Sequence, residues 1–327
     1  MFSLIGLSIL SGAMNLSAQE LGAPVEVPGA TNAPLGYHPV MDFDGDGKTD
    51  YALTRTVGNA MTWYLQRSNA GFTGVAWGIA NDIPVPADFD GDGHADIAVW
   101  RPGVQGYFYV LRSGTGTVDS VPFGITGDNP TITQDFDGDG KADPAVTRIA
   151  GSPGIMTWYI QRSMLGFTAI QFGNFADTSV RGDFDGDGKA DVAVYRISSG
   201  TPANTFFVLR SLDGAVQAQP WGNFATDHIL PSDFDGDGKT DFAVYRTVNG
   251  TWYWLRSSNN VAGAMAFGSP SLDLPCVGDY DGDGKADQAV WRVSSPTFYV
   301  QRSTLGFVAT PFGLSTDSAV AYVLQAR

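Results

Sequence analysis

The string D-[FY]-D-G-D-G-x-[AT]-D occurs six times and constrains the fold more than any other feature of the chain. Its copies recur every 46 to 50 residues and begin at Asp42, Asp88, Asp135, Asp183, Asp233 and Asp279. Each copy is followed by a short apolar segment that ends in Arg, then by an aromatic segment that ends in Arg-Ser, and then by an aromatic-Gly pair. A fixed period of this length predicts a repeat architecture.

Each repeat unit contains four short strand candidates and no sustained helical period. Composition agrees with this interpretation, since 41 of the 327 residues are Gly, only Glu20 and Glu26 are Glu, and aromatic residues make up 12% of the chain. Four short strands per unit are typical of a propeller blade. The sequence therefore predicts an all-β fold, a β-propeller of four-stranded blades.

The sequence predicts the number of blades less clearly than it predicts the strands of each blade. The segment that precedes each Asp loop occurs a seventh time at residues 316–323, where Val323 replaces the first Asp. Residues 24–29 resemble the fourth strand of a further blade. These two partial units favour a ring with seven blade positions, in which both termini close an incomplete seventh blade. A six-bladed ring is the alternative.

Each Asp loop has the composition of a calcium site. Asp42, Asp44 and Asp46 alternate along the first loop, so a tight turn can direct all three carboxylates inward. Position seven offers a backbone carbonyl and position nine a fourth carboxylate, and hard oxygen ligands of this kind suit Ca²⁺. Position 12 is apolar in every copy, so the bidentate Glu of helix-loop-helix sites is absent and the loop is expected between strands.

The predicted ligands occupy positions one, three, five, seven and nine of each loop, with Lys and His acting through their backbone carbonyls. They are Asp42, Asp44, Asp46, Lys48, Asp50, Asp88, Asp90, Asp92, His94, Asp96, Asp135, Asp137, Asp139, Lys141, Asp143, Asp183, Asp185, Asp187, Lys189, Asp191, Asp233, Asp235, Asp237, Lys239, Asp241, Asp279, Asp281, Asp283, Lys285 and Asp287.

The charge balance supports about six bound calcium ions. The formal net charge is −15, and the loops hold 24 of the 34 acidic residues. Four carboxylates within nine residues repel one another unless a cation lies among them, which disfavours a metal-free Asp-Gly turn. The acidic balance also excludes a nucleic-acid binder, which needs clustered positive charge, and the single Cys276 excludes an intrachain disulfide.

Twelve of the fourteen arginines also follow the repeat, in two sets that begin with Arg55 and Arg67. An Asp recurs before each of the later loops as well, beginning with Asp82. We expect these residues to form ion pairs between blades and to stack on aromatic rings rather than to bind an anion.

The first residues predict export. Residues 2–10 are apolar and small residues follow up to Ala18, which is typical of a signal peptide, although no Lys or Arg precedes the apolar run. That run is too short to span a membrane, and no later segment qualifies. We therefore expect a signal peptide at residues 1–19, a single propeller domain at residues 20–327, and a secreted or cell-surface protein.

The loops and their spacing resemble the FG-GAP and VCBS-type repeat family, which itself resembles the calcium-loop blades of integrin α-chain propellers. The resemblance covers residues 24–324 and implies the fold and the metal. It is less informative about function, since members include adhesive receptors, fungal-type lectins and propellers attached to polysaccharide-degrading enzymes. The terminal unit departs from the family pattern because it has no Asp loop.

A binding or adhesion module for a glycan or a protein surface is the function that the sequence favours. An enzyme needs acids, bases or nucleophiles outside the repeat, and nearly every polar residue here follows it. His38, His94 and His228 carry no expected catalytic or zinc role. A polysaccharide lyase or hydrolase with a channel site, and a structural cell-surface ectodomain, are the alternatives.

Overall fold

The repeat units form short antiparallel strands that are joined by tight turns. A computed structural model describes residues 41–151, 154–197, 204–223 and 227–324. The predicted signal peptide and residues 24–29 lie outside the described residues. The described residues contain 23 strands and one short helix.

In chain order these elements are β1 (Tyr51–Val57), β2 (Ala60–Arg67), β3 (Gly71–Ile79), β4 (Ile83–Pro84), β5 (Ile97–Arg101), β6 (Tyr107–Leu111), β7 (Val118–Pro122), β8 (Ala145–Ala150), β9 (Ile155–Arg162), β10 (Gly166–Asn174), β11 (Asp177–Val180), β12 (Val192–Arg196), β13 (Thr205–Leu209), β14 (Val216–Pro220), β15 (Asp227–Ile229), β16 (Phe242–Arg246), β17 (Thr251–Leu255), β18 (Ala262–Ala266), β19 (Asp273–Pro275), β20 (Gln288–Arg292), β21 (Thr297–Arg302), β22 (Gly306–Pro311), β23 (Ser318–Ala319) and α1 (Val320–Val323).

The strands form six sheets, which are the blades of a β-propeller. We number the blades 1 to 6 in the order of their Asp loops. Blades 2, 4, 5 and 6 each contain four consecutive strands, as in β4-β5-β6-β7. Blade 3 contains β8, β9 and β10, and its first strand is reduced to a single bridge between Asn129 and Thr147. The predicted all-β propeller is confirmed.

Blade 1 is closed by the two ends of the described chain. Its strand order is β23-β1-β2-β3, with Leu53 paired to Ala319 and Thr54 paired to Ser318. The preferred seven-position ring is therefore wrong, and the six-bladed alternative is correct. Residues 316–323 resemble the start of a further unit because they supply the missing first strand of blade 1.

Both faces of each blade pack against neighbouring blades, which explains why the strand after each loop is continuously apolar. In β5, Ile97, Ala98, Val99 and Trp100 are all buried. The following strand alternates instead, with Phe108 and Val110 buried in β6. Five Trp side chains, Trp63, Trp100, Trp158, Trp252 and Trp291, are among the largest that are fully buried.

The repeated Asp and Arg residues form ion pairs within each blade. Asp177 of β11 lies opposite Arg196 of β12 in the sheet register, and the Arg Nε lies 2.7 Å from the Asp Oδ1. The guanidinium carbon of Arg196 lies 4.7 Å from the ring centroid of Phe207. Pairing and stacking are as expected, but the expectation of pairs between blades is wrong because both partners belong to paired strands of one sheet.

The equivalent pairs are Arg55–Asp317, Arg101–Asp82, Arg148–Asp128, Arg246–Asp227 and Arg292–Asp273. In blade 1, the pair joins residues that are 262 positions apart in the sequence and so reinforces the closure.

The helix α1 is four residues long. In the described part of the chain, no helix has the length and apolar character needed to cross a membrane.

Candidate metal centre

The first carboxylate of each loop organises the turn. In blade 1, Asp42 Oδ1 accepts a hydrogen bond from Gly45 N at 2.7 Å, and Asp42 Oδ2 accepts one from Gly47 N at 2.7 Å. These two glycines have φ angles of 71° and 82°, a region that residues with a Cβ rarely adopt. The D-x-D-G-D-G spacing therefore wraps the backbone around the Asp42 carboxylate.

The last carboxylate fastens the loop to the blade. Asp50 Oδ2 accepts a hydrogen bond from Phe43 N at 2.8 Å, and Asp50 Oδ1 accepts one from Ser68 N at 2.7 Å. Asp50 is buried. It therefore ties the start of its own loop to the turn that follows β2.

The loops bring the carboxylates of positions one, three and nine together. In five loops these three residues each have an oxygen within 4.8 Å of the others. The groups are Asp42-Asp44-Asp50, Asp88-Asp90-Asp96, Asp135-Asp137-Asp143, Asp183-Asp185-Asp191 and Asp233-Asp235-Asp241. In the sixth loop, Asp279 and Asp287 make the same hydrogen bonds to the backbone as their counterparts.

The carboxylate at position three has a buried oxygen that lacks a hydrogen-bond partner. This oxygen is Oδ1 of Asp44, Asp90, Asp137, Asp235 and Asp281, in five of the six loops. In blade 4, Asp185 Oδ1 instead accepts a hydrogen bond from Asp187 N at 3.2 Å. A buried carboxylate oxygen without a donor is costly, and a cation among the three carboxylates satisfies it. The residues present therefore fit a hard divalent metal ion.

The electrostatics of the loops indicate the same need for a cation. Burial raises the pKa of Asp50, Asp143 and Asp287 to about 7, with further contributions from the neighbouring carboxylates at positions one and three. Burial likewise raises the pKa of Asp191 and Asp241 to about 6. Without a cation the ionised form of each group is less stable than that of a free aspartate, and a divalent ion stabilises it.

The carboxylate at position five turns toward a serine instead of joining the three grouped carboxylates. Asp46 Oδ1 accepts a hydrogen bond from Lys48 N at 3.1 Å, and Asp46 Oδ2 accepts one from Ser68 Oγ at 2.6 Å. The same serine-to-carboxylate bond occurs in every blade and involves Ser68, Ser113, Ser163, Ser211, Ser257 and Ser303. Sequence reasoning gave these serines no role, although their recurrence after Arg in every unit marked them.

The side chain at position seven lies against the loop of the preceding blade. A Cβ placed on Gly138 of blade 3 would lie 3.1 Å from Lys189 Cγ of blade 4, and Gly236 has the same relation to Lys285. In blade 2 the residue is His94, which lies over Gly45. The glycine at position four thus makes room for a neighbouring side chain as well as for the turn.

The backbone links the six loops into a closed ring. Position eight of each loop donates its N–H to the carbonyl of position one in the preceding blade, at 2.5–2.7 Å. The donors are Thr49, Ala95, Ala142, Ala190, Thr240 and Ala286, and the acceptors are Asp279, Asp42, Asp88, Asp135, Asp183 and Asp233, respectively. The loops border a central cavity of 570 Å³ that also reaches Leu324.

The histidines take no part in the carboxylate groups that the structure describes. His94 occupies position seven, and the His228 ring lies 5.7 Å from the ring of Tyr322. His38 lies outside the described residues.

The match to one repeat family agrees with the repeated loops that the structure shows. The model of the FG-GAP-like repeat matches residues 42–99, 88–146 and 233–290. No curated protein matches the chain. The crystal structure of a candidate 6-phosphogluconolactonase from Bacteroides fragilis NCTC 9343 is similar at 12% identity and a TM-score of 0.40, covering 83% of this chain and 84% of that one.

Proposed function

Because this chain is a β-propeller of FG-GAP-like repeats, we propose that its six Asp loops bind calcium and stabilise a module that binds a glycan or a protein surface. Within each loop, the proposed ligands are the carboxylates at positions one, three and nine, the carbonyl at position seven, and the carboxylate at position five once it turns from its serine. The metal supplies charge neutralisation and cross-linking of the loop, and the loops in turn join the blades.

The observation that carries the metal proposal is the buried Oδ1 of the position-three Asp, which lacks a hydrogen-bond partner in five of the six loops. Calcium is favoured over magnesium because it accepts 6–8 oxygens in flexible geometry, whereas magnesium requires a compact octahedron. Several loop carboxylates already accept backbone hydrogen bonds, which limits how far they can move toward a small ion.

Metal stoichiometry tests this proposal. In equilibrium dialysis against calcium well above about 10⁻³ M, the upper dissociation constant of extracellular calcium modules, the wild-type protein should bind close to six ions. Asp137→Asn should bind one fewer, because it alters the oxygen without a donor in the blade 3 loop. Asp213→Asn is the matched control, since Asp213 is an exposed partner of Arg210 outside the loops. A wild-type value of two or fewer contradicts the assignment of all six loops as metal sites.

The proposed binding role is supported by how the repeated polar residues are used. The Asp-Arg pairs hold the inner strands together, and the serines hold the loops. The side chains that follow the repeat therefore serve the scaffold, and differences among blades are left to recognise a ligand.

Glycan and protein arrays, probed in calcium and in chelator, test the binding role. Specific binding to at least one array is expected in calcium. We also propose export, on the basis of residues 1–19, and N-terminal sequencing of protein recovered from the culture medium tests it. A secreted product that begins near residue 19 is expected.

A further inference from the structure

Blades 1, 3 and 6 share an exposed phenylalanine that the other blades lack. Phe72, Phe167 and Phe307 lie on the outer strands and are 61%, 59% and 58% exposed. In the sheet register they lie opposite Gln66, Gln161 and Gln301, respectively. Blades 2, 4 and 5 instead carry the pairs Val118–Leu111, Val216–Leu209 and Ala262–Leu255.

Each of these phenylalanines is held in the same orientation by two other rings. The Phe72 ring stacks on Tyr64 of its own blade, with centroids 6.4 Å apart and planes 17° apart. Its edge meets Phe312 of blade 6 at 6.3 Å and 75°. Offset-stacked and edge-to-face contacts of this kind fix the orientation of a ring.

The other two blades repeat this arrangement closely. The stacked pairs are Phe167–Tyr159 at 20° and Phe307–Tyr299 at 19°. The edge contacts, both at 6.3 Å, are Phe167–Phe123 and Phe307–Phe267. Three blades that differ elsewhere therefore build one local structure across the boundary with the preceding blade.

In blade 1 this structure borders a groove of 510 Å³, which Arg55, Tyr64, Gln66, Phe72 and Phe312 help to line. Arg55 donates from both Nε and Nη2 to Asp317, so its charge is already compensated. Within the described part of the chain, the Gln66 amide makes no hydrogen bond. The groove thus offers aromatic faces and an available amide, and no uncompensated charge.

We propose that this groove of blade 1, together with the matching aromatic clusters of blades 3 and 6, binds neutral sugar residues of a glycan. A pyranose ring presents an apolar C–H face to an aromatic ring and hydroxyl groups to an amide, which matches the lining. The volume lies in the range of small-molecule sites. The lining holds no uncompensated cation that would pair with an acidic glycan, and three copies of the aromatic arrangement suit a ligand with repeated units. This inference rests on the proposed binding function and is independent of the metal.

Affinity electrophoresis in gels that contain dextran, galactomannan or mixed-linkage β-glucan tests the inference, with dextran sulfate as the acidic comparison. The main variant is the triple change Phe72→Val, Phe167→Val and Phe307→Val, which introduces the residue that blades 2 and 4 carry there. The control is Val118→Ala with Val216→Ala, at the same register in blades that lack the phenylalanine. A second variant replaces Gln66, Gln161 and Gln301 with Leu.

We expect at least one neutral polysaccharide to retard the wild-type protein. Each lost aromatic contact should weaken binding about 2- to 10-fold, so the triple Phe variant should bind at least about 8-fold more weakly. The Gln variant should also bind more weakly, and the Val control should bind like the wild type. Melting temperatures show whether the variants fold.

Three results would overturn the inference. Unchanged binding by the triple Phe variant places the glycan site elsewhere and leaves the proposed function intact. Retardation by dextran sulfate alone, or binding only to the protein array, excludes a neutral sugar but also leaves the binding role intact. No specific binding to any glycan or protein contradicts both the inference and the proposed function.

Discussion

Removal of calcium should lower the stability of the propeller by an amount that can be worked out from the loops. Extracellular calcium modules bind with dissociation constants of about 10⁻⁴–10⁻³ M. At roughly millimolar calcium each site then contributes about 0.4–1.4 kcal/mol to the free energy of unfolding. Six sites contribute about 2–8 kcal/mol, which is comparable with the net stability of a whole domain, about 5–15 kcal/mol.

This free energy converts into a measurable shift of the melting temperature. For the roughly 280 residues from 41 to 324, the entropy of unfolding is about 0.6 kcal/mol/K, at about 2.1 cal/mol/K per residue. Chelation should therefore lower the midpoint by about 3–13 °C. The dissociation constant already contains the cost of leaving buried carboxylates such as Asp50 and Asp44 Oδ1 without a cation.

The assay is a thermal melt in calcium, in magnesium and in chelator at equal ionic strength. Magnesium should restore little of the lost stability, for the geometric reason given above. A midpoint that moves by less than about 2 °C on chelation refutes the reasoning, because the loops would then be ordered without metal.

A change of pH and two substitutions provide three further tests. In chelator, the melting temperature should rise as the pH falls from about 8 to about 5, because burial raises the pKa of Asp50 to about 7 and the folded state then binds more protons than the unfolded one. In calcium, the melting temperature should fall over the same pH range, since protons compete with the metal. Identical pH profiles in the two conditions would contradict the metal assignment. Asp317→Asn should destabilise the protein by about 3 kcal/mol, since it leaves Arg55 without its buried partner. Asp213→Asn is the exposed control. Equal melting temperatures for these two variants would show that the pair closing blade 1 contributes nothing to stability. Asp187→Ala should reduce the hydrogen-exchange protection of amides in blade 4 and of the Ala190 and Thr240 amides, which donate to the loops of the preceding blades. A loss of protection spread evenly over all blades would refute this local coupling.

Local features of the repeat predicted much of the fold and of the grouping of the loop carboxylates. The D-x-D-G-D-G pattern encodes its turn through nearby contacts, such as those of Asp42 with Gly45 and Gly47. The strands between loops are marked by their aromatic and β-branched residues. These features depend on neighbours within one unit, so a single sequence is enough to find them.

Contacts between distant residues were harder to predict. The spacing of residues 316–323 looks like the start of a new unit, and nothing local shows that Ala319 pairs with Leu53. The partner of Ser68 Oγ is the carboxylate of Asp46, 22 residues earlier, which becomes visible only once the hairpin is folded. The number of blades and the role of the serines therefore needed the three-dimensional arrangement.

The closure of blade 1 also determines when the ring can be completed during synthesis. Arg55 and Asp317 are separated by 262 residues, which a ribosome adds in about 13–50 s at about 5–20 residues per second. Throughout that interval β1 presents an open edge, and an unpaired edge strand invites pairing with another chain. The first blade to be translated is thus the last one that can be completed, and the nascent protein has to be protected from its neighbours until β23 arrives.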